Sequence, residues 1–362
     1  MSPAALHKAR NFRPAAWRWI LLVSLSAALS AAWDRLGLPA SLLMGSMLAG
    51  FLLALRGWEL DPPEPLFLIA QGLIGALMAQ KIPKTFLTEL GEAWPFFLGG
   101  SLWAMMSAAA LGWILTRRRI FPGSTALWGL SPGAAPAMVL MSADHGADMR
   151  LVAFMQYLRM ICVSLTAVAV AGLWVRETAW TTLATDWFPP LQAFDFSATL
   201  LLMLTATALA HRLRFPGGSI LLPLALALLV SQTGWLSLEL PPWLLAAANA
   251  LIGWTIGLRF TWNVVRSAVR ALPEVLAGLS ALIALCALFG WFLTLAIGLD
   301  PLTAFLATCP GGLDTVVIIA YSARVDLPFI MTMQTVRMLL VFMFGPGLAR
   351  RLTKQTGLAG KD

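Results

Sequence analysis

The sequence predicts an all-helical integral membrane protein with two repeats of inverted topology, each with five crossing helices and one broken or re-entrant helix. Three observations lead to this fold class. Hydrophobic residues make up 59% of the 362 residues and charged residues 12%, a balance typical of multi-pass membrane proteins. A passage that ends in an arginine and a methionine occurs twice at an offset of 178 residues, as SPGAAPAMVLMSADHGADMRLVAFMQYLRM (131–160) and CPGGLDTVVIIAYSARVDLPFIMTMQTVRM (309–338). Basic residues lie in short blocks between apolar segments.

Twelve apolar segments follow one another, each near the roughly 20 residues that cross a bilayer. The first repeat, 17–175, contains segments at 17–33, 39–57, 65–80, 93–116, 123–143 and 149–175. After a linker at 176–194, the second repeat, 195–352, contains segments at 195–211, 216–235, 241–260, 275–298, 302–322 and 327–349. Because the order is the same in both halves, we expect internal structural symmetry.

The first segment also has the basic start, apolar middle and small-residue end of a secretory signal. Its counterpart in the second repeat, SATLLLMLTATALA, lies in the middle of the chain and cannot be a signal peptide. We therefore interpret the first segment as a retained helix.

The fifth segment of each repeat is interrupted. The interrupting residues are Pro132, Gly133 and Pro136 in the first repeat and Pro310, Gly311 and Gly312 in the second. All of them except Pro136 are candidate substrate-binding residues. Proline removes a backbone donor and glycine adds backbone freedom, so each segment either crosses as a kinked helix or enters and returns on the same side.

The distribution of charges favours the re-entrant arrangement. With re-entrant segments and a cytoplasmic N terminus, 18 basic residues lie inside and five outside, whereas crossing segments make the two counts nearly equal. The positive-inside rule thus predicts ten crossings in a bacterial inner membrane, with both termini cytoplasmic. Five crossings per repeat place the second repeat upside down, as in many secondary transporters.

The reactive residue types are too few and too scattered for most catalytic chemistry. The three histidines are far apart, and the three cysteines lie within or beside apolar segments. We predict no metal site, no cofactor and no enzymatic activity. The net charge of +8 comes from loop blocks, so the predicted partners are the lipid bilayer and a small-molecule ligand rather than nucleic acid. Whether the protein forms a homo-oligomer stays open.

Candidate substrate-binding residues lie on one face of the last helix of each repeat. At 100° per residue, Asp148, Gln156 and Arg159 fall within an arc of about 80°. The equivalent residues of the second repeat, Asp326, Gln334 and Arg337, do the same. Each arginine lies about 12 to 15 Å along its apolar segment, where contact with lipid would cost several kcal/mol.

The two arginines can be interpreted in two ways. In one, each arginine donates to carbonyls freed at the break. In the other, guanidinium groups and half-helix N termini bind an anion such as a carboxylate. Asp314, an acid beside the second break with no counterpart in the first repeat, is either a coupling residue or a salt-bridge partner of Arg337.

Several motifs resemble the AbrB family of duplicated bacterial inner-membrane proteins. They are LPASLLMGSMLAG at 38–50, the duplicated PG break, and the pattern GAD.RLV...Q.LR at 146–159. The resemblance covers nearly the whole chain, but PGAAP stands where similar chains carry PGG. The family is labelled as regulators or as ammonia monooxygenases and differs from the soluble DNA-binding regulator of the same name. The resemblance implies the duplicated membrane fold.

Together, these observations predict a secondary transporter of a small organic anion. The alternative is a membrane protein involved in regulation of gene expression, by sensing or exporting a metabolite.

Overall fold

A computed structural model describes residues 16–36, 40–58, 60–174, 186–213, 217–311 and 325–355, and these ranges contain thirteen helices and no β-strand. The helices of the first half are α1 (Ala16–Arg35), α2 (Ser41–Leu55), α3 (Glu64–Gln80), α4 (Phe86–Arg117), α5 (Thr125–Leu130), α6 (Ala135–Ala143) and α7 (Met149–Trp174). Those of the second half are α8 (Ala193–Leu213), α9 (Gly218–Gln232), α10 (Pro242–Gly257), α11 (Trp262–Ile297), α12 (Pro301–Thr308) and α13 (Leu327–Gln355).

The helices have the composition of membrane spans. Six of those described, α1, α4, α7, α8, α11 and α13, are long and apolar enough to cross a bilayer. Four shorter apolar helices, α2, α3, α9 and α10, have 15 to 17 residues each. The prediction of an all-helical membrane protein is therefore confirmed.

Local sequence determines where several helices begin and end. α3 and α10 carry Pro65 and Pro242 in their first turns, because proline fits the first helical turn, where backbone donors have no partner. The Asp300 carboxylate caps α12 by accepting from the backbone N–H of Thr303 at 2.9 Å. Gly298 follows the last residue of α11, and its φ of 67° lies in the left-handed region that glycine adopts without strain.

The helices pack in two groups. One group contains α1, α2, α3, α8, α9 and α10, and the other contains α4 to α7 and α11 to α13. Between the groups, α3 touches α6 and α7 touches α10. The Asp144 carboxylate also accepts from the Gly217 backbone N–H at 2.8 Å. Each group thus combines elements from both halves of the chain.

Glycines allow close approach within the first group. A Cβ on Gly257 of α10 would overlap the carbonyl oxygen of Met47 on α2, and a Cβ on Gly253 would overlap the Ser46 hydroxyl. Small residues at such crossings let backbones approach, which is how helices gain packing energy where apolar burial contributes little.

Contacts give the relative direction of the helices in the second group. α4 and α13 run parallel, since Phe97 contacts Phe329 with ring centroids 4.7 Å apart and the next turns meet at Ser101 and Met333. α4 and α11 run antiparallel. The Trp103 indole N–H donates to the Leu285 carbonyl at 2.8 Å, while later on α4 Leu115 lies near the earlier Gly278 of α11.

α4 and α11, which occupy equivalent places in the two halves, are therefore antiparallel, as an inverted repeat requires. Ala104 and Ala108 of α4 form one cluster with Leu282 and Cys286 of α11. The second pair follows the first at the repeat offset of 178. Equivalent residues thus meet where α4 and α11 cross. The insertion of each half across a membrane stays a prediction.

Candidate functional site

The interrupted segment of the first half is a helical hairpin. α5 ends at Leu130, the chain is extended at Ser131 and Ala134, and α6 begins at Ala135. α5 lies beside the residues that follow α6, since the hydroxyl of Thr125, its first residue, accepts from the Asp148 backbone N–H and the rings of Trp128 and His145 have centroids 5.0 Å apart. The two ends of the segment therefore lie side by side at the open end of the hairpin, and the break lies at its opposite end, the tip.

The second half closes its interrupted segment in the same way. The Asp326 backbone N–H, just before α13, donates to the Thr303 hydroxyl near the start of α12 at 3.1 Å. The Asp148 backbone N–H donates to the Thr125 hydroxyl, also at 3.1 Å. The two ends of each interrupted segment are thus joined by equivalent bonds. Gly312 and Asp314, which were candidate site residues, lie outside the described residues.

Breaking α5 leaves carbonyl oxygens without helical partners, and α7 supplies donors for them. The Gln156 side-chain amide donates to the carbonyls of Trp128 and Ser131 at 2.7 and 3.1 Å. Arg159 donates from Nη1 to Ser131 and from Nη2 to Gly133, the latter at 3.1 Å. Buried carbonyls need partners, so these two side chains hold the tip of the hairpin.

The second half repeats this network at the offset of 178. The Gln334 amide donates to the Leu306 carbonyl at 3.1 Å. Arg337 Nη1 lies 3.0 Å from the Thr308 carbonyl, 3.4 Å from that of Cys309 and 3.5 Å from that of Ala307. The structure therefore brings four of the predicted residues, Gln156, Arg159, Gln334 and Arg337, to two equivalent breaks.

The two breaks converge. Arg159 and Arg337 are close enough for their charges to repel each other, and Cys309 at the second break is within electrostatic range of Arg159. Gly311, also at the second break, faces α7, since a Cβ there would lie 3.1 Å from Val163. The site is therefore formed by both halves of the chain.

Among the described residues of this region, buried positive charge is not matched by buried negative charge. Arg159 is 2% exposed and Arg337 is 4% exposed. Their Nε atoms have no hydrogen-bond partner in the part of the chain that the structure describes. Among the described residues, no carboxylate forms an ion pair with either guanidinium. Carbonyl oxygens supply partial negative charge only, so within the described residues two full positive charges are buried with no anion beside them, which is costly in a low-dielectric environment.

Further polar atoms of α5 and α7 have no hydrogen-bond partner within the described ranges. They are Nε1 of Trp128, the hydroxyl of Tyr157 and Oε1 of Gln156, all buried. Trp128 and Tyr157 can donate and Gln156 Oε1 can accept. In the described part of the chain, no three His, Cys, Asp or Glu side chains are grouped to hold a metal ion.

Asp148 and Asp326 lie away from the arginines. Each precedes its arginine by eleven residues, which is about 16 Å along a helix. The Asp148 carboxylate accepts from Nε and Nη2 of Arg150 at 3.0 and 2.8 Å, and Asp326 Oδ1 accepts from the backbone N–H of Phe329 at 3.0 Å. Both acids therefore lie at the open ends of the hairpins, which we call the hairpin mouths.

The proline and glycine positions shape the breaks. Pro132 and Pro310 are buried. Pro136 falls in the first turn of α6, where proline is favoured. A Cβ on Gly133 would lie 2.8 Å from the Met138 sulfur, so a side chain at this position would have to displace the buried Met138 side chain.

Sequence reasoning missed the two threonines that close the hairpins. Thr125 and Thr303 are related by the same offset of 178, so a position-by-position comparison of the two repeats could have identified them. Cys286 and Cys309, which the sequence placed within or beside apolar segments, are both buried near the arginines.

Comparison with known proteins places the chain in a family. A family model described as "Transition state regulatory protein AbrB" matches residues 42–353. The chain is 43% identical over 335 residues to the protein named "Putative regulator AbrB" of Escherichia coli (strain K12), covering 92% of this chain and 96% of that protein. It is 23% identical over 354 residues to "Uncharacterized protein YhjN" of Bacillus subtilis (strain 168), covering 91% of this chain and 92% of that protein. The chain therefore belongs to the AbrB family.

Proposed function

We propose that the protein is a secondary transporter that binds a small organic anion, such as a carboxylate, between Arg159 and Arg337. The observation that carries this proposal is the pair of buried guanidinium groups from opposite halves of the chain, with no described carboxylate paired to either. A bound anion would offset the cost of burying these charges, and this gives the site its selectivity for negative charge.

The arginines retain donors for such a ligand. Arg159 and Arg337 use Nη atoms to hold the breaks, while both Nε–H groups have no partner among the described residues. α6 begins at Ala135, two residues after the Gly133 carbonyl that Arg159 contacts. The positive end of the α6 dipole therefore points to the same region, which adds to its preference for an anion.

The division into two helix groups supports movement of the ligand across the membrane. The arginines and both breaks belong to the second group, which touches the first mainly through α3, α6, α7 and α10. One buried apolar cluster continues across this interface, and we propose that one group shifts against the other along it. Alternating access to a site at the centre of inverted repeats needs such a shift.

A regulatory role is the second candidate, and it is favoured by the name of the Escherichia coli relative. In that role the same site would sense a metabolite, or export of the metabolite would change gene expression indirectly. In both cases we propose a bacterial inner-membrane protein with cytoplasmic termini that is not an enzyme, uses no cofactor and does not bind nucleic acid.

Uptake by proteoliposomes tests the proposal. Purified wild-type protein should transport at least one of labelled acetate, pyruvate, succinate and citrate, and Arg159→Gln and Arg337→Gln proteins should lose most of this uptake. A matched control is Arg351→Gln, which removes an exposed charge at the end of α13. Saturable binding without uptake would favour the sensor, while absence of both binding and uptake would contradict the proposal.

A further inference from the structure

The first three turns of α11 carry an exposed face with two arginines and a tryptophan. α11 has 36 residues, so it is about 54 Å long, whereas the hydrocarbon core of a bilayer is about 30 Å thick. One end of α11 must therefore extend beyond the hydrocarbon. The charged residues lie in the first part of the helix, which makes this the end that reaches the headgroups.

The exposed face forms a shallow depression. It is lined by Trp262, Val265, Arg266, Val269 and Arg270, which are spaced three or four residues apart and share one side of the helix. Trp262 is 63% exposed and Val269 is 64% exposed. The depression is thus a small apolar surface with two guanidinium groups at its edge.

The opposite face of the same turns is fixed in the protein. Val264, Ala268 and Ala271 pack in a buried cluster with Phe121, which precedes α5, and Leu151 of α7. The exposed face is therefore held in a constant orientation. Among the described residues, neither Arg266 nor Arg270 forms an ion pair. Glu274, one turn beyond Arg270, is exposed and is the acid that lies closest along the helix.

The depression continues into an apolar stripe. Four large apolar residues that are exposed further along α11 fall on the same side of the helix at 100° per residue, and they are Leu276, Leu288, Trp291 and Leu295. A molecule bound at the arginines can therefore extend along an apolar surface over the length of the helix. Free phosphate or a soluble metabolite would make no use of this stripe.

We infer that the first three turns of α11, at Trp262, Arg266 and Arg270, bind the headgroup of an anionic phospholipid whose acyl chains lie along α11. The phosphate accepts hydrogen bonds from the two guanidinium groups, and the tryptophan packs at the level of the headgroups. In the predicted topology this end of α11 is cytoplasmic, so the lipid belongs to the inner leaflet. This lipid site lies on α11 and is separate from the two central arginines.

Native mass spectrometry of the detergent-purified protein tests this inference. The probes are phosphatidylglycerol and phosphatidylcholine with the same acyl chains. Wild-type protein should retain phosphatidylglycerol in a saturable manner and in preference to phosphatidylcholine. Each arginine near a charged headgroup contributes about 1 kcal/mol, so Arg266→Gln/Arg270→Gln should bind phosphatidylglycerol about thirtyfold more weakly.

Two variants serve as controls. Arg350→Gln/Arg351→Gln removes the same charge from exposed positions on α13 and should change the affinity by less than about threefold. Arg266→Lys/Arg270→Lys keeps the charge and should retain most of the binding. All of these positions are exposed, and unchanged thermal unfolding of each variant in detergent checks that the fold is intact.

Four results would overturn the inference. They are equal retention of the two lipids, unchanged binding by the double glutamine variant, an equal loss in the α13 control, and displacement of the lipid by millimolar inorganic phosphate. A dimer in lipid-free detergent that Arg266→Gln/Arg270→Gln dissociates would instead assign this face to a second copy of the chain.

Discussion

Replacement of Arg337 by glutamine is expected to weaken anion binding far more than it weakens the fold. Of its three carbonyl contacts, the one to Thr308 at 3.0 Å is within the usual hydrogen-bond range, while those to Cys309 and Ala307 at 3.4 and 3.5 Å are longer. The substitution thus removes about one good charge-assisted hydrogen bond, worth about 1.5 to 3 kcal/mol.

An opposing effect reduces this loss. Arg337 is 4% exposed and has no described ion-pair partner, so removing its charge also removes part of a desolvation cost of several kcal/mol. We expect the free energy of unfolding without ligand to fall by about 2 kcal/mol or less. Loss of a buried charge that contacts the ligand should weaken carboxylate binding by more than about a hundredfold.

The assay measures urea unfolding of the purified protein in detergent and, separately, carboxylate affinity by titration. Arg337→Lys is the informative second variant, because lysine keeps the charge but lacks the planar fork that binds a carboxylate with two bonds. It should lie between wild type and Arg337→Gln in affinity. Unchanged carboxylate affinity of Arg337→Gln, together with an unfolding loss of about 3 to 5 kcal/mol, is the pattern of a purely structural ion pair and would refute this reasoning.

Three further predictions concern topology, the hairpin mouth and the hairpin tips. Asp61 and Ser237 are exposed and lie in equivalent connections of the two halves. In a cysteine-free background, Asp61→Cys and Ser237→Cys should react with a membrane-impermeant thiol reagent from opposite sides of the membrane. Labelling of both from the same side would contradict the inverted insertion of the two halves. The pKa of Asp148 is held below its usual value, since burial raises it but the adjacent arginine lowers it more. Asp148→Asn should therefore cost about 1 kcal/mol at pH 7, and the difference should disappear as acid protonates the wild-type carboxylate below about pH 4. Gln156→Leu should cost about 2 kcal/mol and Gln334→Leu about 1 kcal/mol in urea unfolding, because the first amide contacts two carbonyls and the second contacts one. Equal costs would contradict this difference.

Hydropathy located most of the helices but not all of their ends. The predicted segment 93–116 begins at the kink in α4, where Ala93 has φ of −129° two residues before Pro95. The predicted segment 275–298 misses the first 13 residues of α11, which begins at Trp262. Those turns carry arginines, so an apolar window excludes them, although one face still packs on the protein.

The repeat predicted that equivalent polar residues lie on α7 and α13, but it did not predict how far along the helix each of them lies from the break. A helical wheel reports the angle around the axis and leaves out position along it, so Asp148 and Arg159 were grouped although they are about 16 Å apart. The contacts of the arginines depend on which carbonyls the breaks leave free. That depends on where α5 and α12 end, at Leu130 and Thr308, which composition does not determine.

The central claim is that Arg159 and Arg337 bind one anion together, and a double-mutant cycle on ligand affinity tests it most directly. Dissociation constants for the carboxylate that wild type binds most tightly are measured with wild type, Arg159→Gln, Arg337→Gln and the double variant. If both guanidinium groups contact the same anion, the double variant should lose less than the sum of the single losses, with a coupling energy above about 1 kcal/mol. Losses that add within about 0.5 kcal/mol, or single variants with wild-type affinity, would contradict the claim.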